Sequence, residues 1–168
     1  MSKPSIVIVG RPNVGKSTLF NRLVGRRTAV VTNIPGTTRD RIALDAEWNG
    51  HPFIIVDTGG LEAAPTSRLY QQVVAQARSA MEAADAIIFV TDVHDGPTPV
   101  DMDISAQLRR ADKPVVLAVN KADNATTERE GLEFYRLGLG DPMPLSAHHN
   151  RGVDDLMDTV MATIPASE

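Results

Sequence analysis

An apolar run, Ser5-Ile6-Val7-Ile8-Val9, stops at Gly10-Arg11-Pro12-Asn13-Val14-Gly15-Lys16-Ser17, and an amphipathic stretch, Thr18 to Val24, follows at once. No other feature restricts the fold of this chain so tightly. The spacing is G-x-x-x-x-G-K-[ST], and its context, a strand before and a helix after, is that of a phosphate-binding loop. Gly10 and Gly15 let the backbone curl without Cβ clashes, so successive N–H groups point inward at an anion. The positive end of the following helix adds to the attraction. Lys16 reaches the β- and γ-phosphates, and the Ser17 hydroxyl is placed to ligate Mg²⁺. Chance produces the four fixed positions in a chain of this length with a frequency on the order of a percent, and the flanking elements lower it further. The stretch implies a nucleoside di- or triphosphate site, with Asn13, Val14, Gly15, Lys16, Ser17 and Thr18 as candidate contacts.

Short apolar runs alternate with helical patterns along the rest of the chain, the signature of an α/β fold with a mostly parallel sheet. Arg26 to Arg41 lacks periodicity and reads as a long loop. Ile42 to Trp48 and Phe53 to Val56 read as strands that meet at Asn49-Gly50, a signal for a tight antiparallel hairpin. Asp57 to Pro65 reads as a Gly-rich loop, and Thr66 to Ala83 as a helix with Leu69, Val73, Ala77 and Met81 in line. Further strands are predicted at Ala86 to Val90, Val115 to Val119 and Met143 to Leu145. Helices are predicted at Pro99 to Ala111, Thr127 to Leu137 and Val153 to Ile164. The expected architecture is a P-loop NTPase three-layer sandwich in one domain, residues 1–168, with one antiparallel edge strand and helices on both faces.

Two polar motifs stand at strand ends, where open α/β sheets place their ligands. Asp57-Thr58-Gly59-Gly60 offers a carboxylate suited to Mg²⁺, through water, and at Gly60 an unhindered N–H for a γ-phosphate. Asn120-Lys121-Ala122-Asp123 follows a buried strand. The Asp123 carboxylate can accept from the guanine N1–H and N2 amino groups, which adenine lacks, so this position selects the base. Asn120 would brace the loop, and the aliphatic stem of Lys121 can lie across the base. Ser146-Ala147 would complete the pocket, with the Ala147 N–H facing guanine O6. In the loop Asn33 to Asp40, Thr37 and Thr38 are candidates to give a hydroxyl to Mg²⁺ and an N–H to the γ-phosphate. Losing those contacts on hydrolysis would release the loop. Asp101 and Asp103 read as surface charges favoured by a helix dipole, and His148 and His149, being adjacent, diverge on any regular element.

Composition narrows the classes. The chain has 168 residues, a formal net charge of −4 and no cysteine. The charge argues against a broad basic face for nucleic acid but leaves docking on RNA through a local patch open, and the lack of cysteine excludes a disulfide frame and a thiolate zinc site. No apolar segment approaches membrane-spanning length, so no membrane partner is expected and cytoplasm is the default. Three readings stay open on the motifs alone: a GTP hydrolase, a nucleotide-dependent binding module with negligible turnover, and a small-metabolite kinase. The base-selecting motif weighs against the last.

With these residues in order, the chain resembles the first GTPase domain of the EngA/Der family. The resemblance rests on Gly10 to Leu23, Pro35-Gly36-Thr37-Thr38-Arg39-Asp40-Arg41, Trp48, Asp57-Thr58-Gly59-Gly60, Asn120-Lys121-Ala122-Asp123-Asn124 and Ser146-Ala147. It implies a Mg²⁺-dependent GTPase switch acting in assembly of the large ribosomal subunit, bound to GTP or GDP. It also implies that the domain, monomeric by itself, is excised from a longer protein with a second GTPase domain and a KH-like domain. It puts the Mg²⁺ contact of the two threonines on Thr38 and makes Lys16, Asn13, Thr38 and Gly60 the candidate catalytic positions. Leu61 stands where many GTPases carry a water-orienting Gln. Related GTPases lacking that Gln have Asn at the position of Asn13, and the resemblance implies that it helps ligate K⁺. His148-His149-Asn150-Arg151-Gly152 departs from the more usual Glu-His-Gly-Arg-Gly.

Overall fold

Each apolar run among the described residues becomes a strand of one six-stranded sheet with the order β2-β3-β1-β4-β5-β6. The computed structural model describes residues 3–24, 42–57, 82 and 84–164. The strands are β1 (Ser5–Val9), β2 (Ile42–Trp48), β3 (His51–Asp57), β4 (Ala86–Asp92), β5 (Val115–Asn120) and β6 (Met143–Pro144). All neighbours run parallel except β2, which pairs antiparallel with β3 at one edge. The hairpin joining them turns at Asn49 (φ 50°) and Gly50 (φ 82°). Positive φ at both central residues is the requirement of the tight turn that Asn-Gly signals.

The sheet is covered on both faces. In β1 the alternation of side chains sends Ile6 and Ile8 to one core and Val7 and Val9 to the other. The first core is closed by the helices Lys16–Val24 and Val153–Thr163, which bury Leu19, Phe20 and Leu23, and Val153, Leu156, Met157 and Val160. The last four lie at i, i+3, i+4 and i+7, one face of a helix. The second core is closed by the helix Pro99–Arg110 through Ile104 and Leu108, together with Phe134 and Leu137. At the hairpin end of β2, the Trp48 indole N–H donates to Asp158 of the last helix at 2.9 Å.

One predicted helix divides. In place of one helix over 127–137 there is an α-helix, Ala125–Glu130, running into a 3-10 helix, Gly131–Leu137, that ends at Gly138 in a left-handed conformation. The buried residues are Gly131, Phe134 and Leu137, a period of three. In a 3-10 helix side chains three apart eclipse, so the tighter coil aims all of them at the sheet, which a 3.6-residue period would not. The predicted loop 26–41, the loop after Asp57 and the predicted helix 66–83, save residue 82, lie outside the described residues, as do Thr37, Thr38, Gly60 and Leu61.

Candidate nucleotide site

The carboxyl ends of β1, β3, β4 and β5 share one edge of the sheet. Register places Asp57 beside Ile8 and Asp92 beside Asn120. Gly10 leaves β1 with φ 153°, and a Cβ there would stand 2.5 Å from the Val90 carbonyl oxygen. Only glycine lets the loop run so close to β4. Asn13 and Gly15 also have positive φ, 68° and 97°. Lys16, 3% exposed, donates from Nζ to the Gly10 carbonyl and, at 2.9 Å, to the Arg11 carbonyl. Ser17 and Thr18 are exposed in the first turn of the following helix, which carries no acidic residue. The end of that helix therefore keeps its positive character. Asp57 is 5% exposed.

A single side chain joins the phosphate loop to the loops beyond β5 and β6. Asn120 Nδ2 donates to the Val14 carbonyl at 2.9 Å, and its Oδ1 accepts the Ala147 N–H at 3.0 Å. Lys121, at φ 68°, donates from Nζ to the Asn13 carbonyl at 2.8 Å and pairs with Asp92 at 2.8 Å. Asp123 Oδ1 accepts the Ser146 hydroxyl at 2.7 Å, and Ser146 Oγ in turn accepts the His149 N–H at 3.2 Å. Beside these contacts lies an open cavity of about 280 Å³ lined by Gly15, Thr18, His94, Asn120, Lys121, Asp123, Ser146 and His148. Such a volume lies near the lower end of small-ligand sites. The residues singled out in residues 10–18, at Asp57, in 120–123 and at 146–147 thus meet at one edge.

The family model described as 50S ribosome-binding GTPase matches residues 5–121, well over half the chain. The chain belongs to this family. A GTPase Der of Myxococcus xanthus is 53% identical over 168 residues, covering 99% of the chain and 37% of that relative's length. The likeness bears out the resemblance to the EngA/Der family. Among solved structures, Era of Aquifex aeolicus bound to GDP·AlF4⁻ matches at a TM-score of 0.76 and 31% identity over 100% of the chain and 59% of its own. Era in complex with MgGDPNP and nucleotides 1506–1542 of 16S ribosomal RNA matches at 0.75 and 30%, with the same coverage. The chain thus spans a little over a third of the length of the curated Myxococcus relative, and the family it belongs to is one of GTPases.

Several residues of this GTPase site are not apparent in its motifs. Asp92 ends an all-buried strand, the same signal that marks Asp57 and Asn120, and it holds Lys121. Arg22, in the last turn of the helix that begins at Lys16, donates from Nε to the Ala147 carbonyl at 2.8 Å and from Nη2 to that of His148 at 2.7 Å. Asp101 is no surface charge. It is fully buried, closes a capping box with Thr98 and pairs with Arg11 of the phosphate loop. Burial lowers the pKa of the Arg11 guanidinium, but Asp101 and Asp95 outweigh it and leave it raised. His148 and His149 pack edge to face, their ring centres 4.7 Å apart. Among the described residues no group of three His, Cys, Asp or Glu is arranged to hold a metal, and no helix is long and apolar enough to cross a membrane.

Proposed function

We propose that this GTPase domain is a Mg²⁺-dependent switch acting in assembly of the large ribosomal subunit, in the cytoplasm. The observation that carries the nucleotide part is Asn120, whose two ends tie the Val14 carbonyl to the Ala147 N–H. That bridge fixes the separation of a phosphate site from a base site. Lys16 and the amides of Asn13 to Thr18 take the phosphates. Asp123, with Lys121, Ser146 and Ala147, takes guanine. The oxygen donors Ser17 and the buried Asp57 suit Mg²⁺, and Thr38 completes the set. Held by these donors, Mg²⁺ would supply neutralisation of the phosphate charge. Lys16, Gly60 and the loop amides stabilise the charge that builds up in the transition state. Thr37 and Thr38 make the loop sense the γ-phosphate.

The ribosomal part is supported by the family description and by the rRNA-bound Era structure. Because the chain spans 37% of the length of the Myxococcus relative, we also propose that residues 1–168 are one GTPase domain within a longer protein carrying a second such domain and a KH-like domain. The test is phosphate release from GTP with and without chelation of Mg²⁺, and pelleting of the intact protein with large subunits in its GDP and GTP-analogue states. Turnover that survives chelation, or equal pelleting in both states, overturns the reading.

Two further results are expected. Amide exchange across residues 33–41 slows with a non-hydrolysable GTP analogue relative to GDP, since only the γ-phosphate ties down Thr38. Equal protection in both states counts against a switch. Turnover is also expected to be about tenfold or more faster in KCl than in NaCl of equal ionic strength, a cation beside Asn13 filling the role of an arginine finger. Asn13→Ala should abolish that difference. Equal wild-type rates in the two salts end the potassium reading.

A further inference from the structure

Arg11 occupies a variable position of the phosphate loop, where the chemistry asks only for its backbone. Its side chain is nonetheless committed. Nε donates to Asp101 Oδ1 at 3.0 Å and Nη2 to Asp95 Oδ2 at 3.1 Å. Asp101 lies 90 residues away in the chain, in the first turn of the helix Pro99–Arg110. Its other oxygen, Oδ2, accepts the Thr98 N–H at 3.0 Å, while Thr98 Oγ1 accepts the Asp101 N–H at 3.1 Å. The two carboxylate oxygens therefore do separate things. One closes the helix cap, and the other holds the phosphate loop.

A cap alone works at the surface and does not require a buried carboxylate. Burying a carboxylate is costly unless it is paired and hydrogen-bonded, and Arg11 meets that condition. The Arg11 carbonyl accepts Lys16 Nζ at 2.9 Å. Whatever fixes Arg11 thus fixes one of the carbonyls that aim Lys16.

We infer that Asp101 is a positioning residue for the GTPase reaction: acting through Arg11, it holds the phosphate loop in the shape that orients Lys16 toward the phosphates. The inference rests on Lys16 being the phosphate contact, as in the reading above. Asp95, half exposed, is the weaker of the two anchors.

The experiment compares Asp101→Asn, Arg11→Ala, Thr98→Ala, Lys16→Ala and the double variant of Asp101 and Arg11. Each is assayed for GDP and GTP affinity, GTP-over-XTP preference and melting temperature, with active sites titrated so that only folded protein counts. Asp101→Asn keeps an acceptor for the cap but loses the charge facing Arg11. It should weaken GDP and GTP about tenfold or more while leaving base preference unchanged. Arg11→Ala should weaken them equally, and the double variant should be no worse than either. Thr98→Ala should lower the melting temperature yet bind as the wild type does. If Lys16→Ala keeps GDP affinity, the phosphate-loop reading itself fails. If Lys16→Ala loses affinity while folded Asp101→Asn and Arg11→Ala bind normally, Asp101 is only a cap and the inference falls. Equal losses in Thr98→Ala and Asp101→Asn overturn it as well. Should Asp101→Asn not fold, Arg11→Ala against Thr98→Ala decides the matter.

Discussion

Asp123→Asn should invert the base preference, weakening GTP and improving xanthosine triphosphate, with a swing of roughly three orders of magnitude in their affinity ratio. A carboxylate accepts two hydrogen bonds from guanine. An amide accepts one and presents its own N–H, which clashes with the guanine donors but suits the xanthine carbonyl. The fold should not suffer. The Asp123 side chain is 44% exposed, and its contact with the Ser146 hydroxyl survives with an amide oxygen in place. Competition titration of GTP, XTP and ATP against a fluorescent nucleotide reads the effect. An unchanged GTP-to-XTP ratio would remove Asp123 from the base pocket.

Gly15→Ala should damage both stability and binding. At φ 97° any side chain is strained, and a Cβ would overlap Asn120 Nδ2. Asn120 cannot step aside without surrendering its bonds to Val14 and Ala147, both buried. Strain and lost bonds together come to roughly 3–6 kcal/mol. GDP affinity should fall about a hundredfold as the two halves of the site lose their spacing. Gly50→Ala is the matched control, since φ is 82° and nothing lies within 4 Å of the added carbon. It should cost only the strain, about 1–2 kcal/mol, with affinity unchanged. Indistinguishable melting temperatures and affinities for the two variants would refute the steric account.

Most strands were legible because their signals are local. The run before Gly10, the Asn49-Gly50 turn and the apolar stretch that became β4 each state their conformation within a few residues. The 3-10 helix Gly131–Leu137 was harder, because a stripe at every third residue looks like a sparse helical one until Phe134 and Leu137 are both found buried. Motifs at strand ends located Asp57, Asn120 and Asp123. Asp101 was misread for a different reason. On its own helix it occupies a place on the buried stripe with Ile104, Ser105 and Leu108, and Thr98-Pro99-Val100-Asp101 is a capping pattern. Only its distant partner Arg11 explains why a charge sits there. Arg22 and Asp92 belong with it, since each is defined by what it touches across the fold rather than by its neighbours in the chain.

Trp48 is the chain's single tryptophan, and its indole is tied to Asp158 at the sheet edge opposite the nucleotide cavity. Beside its two tyrosines this chain therefore carries one tryptophan reporter, and its position decides what it reports. Its emission follows the detachment of the last helix from the hairpin as the fold comes apart. Nucleotide exchange at the far edge is expected to leave it unchanged. Denaturation curves can accordingly be recorded on the unlabelled protein in any nucleotide state without the ligand contaminating the signal, whereas exchange kinetics call for a label on the nucleotide itself.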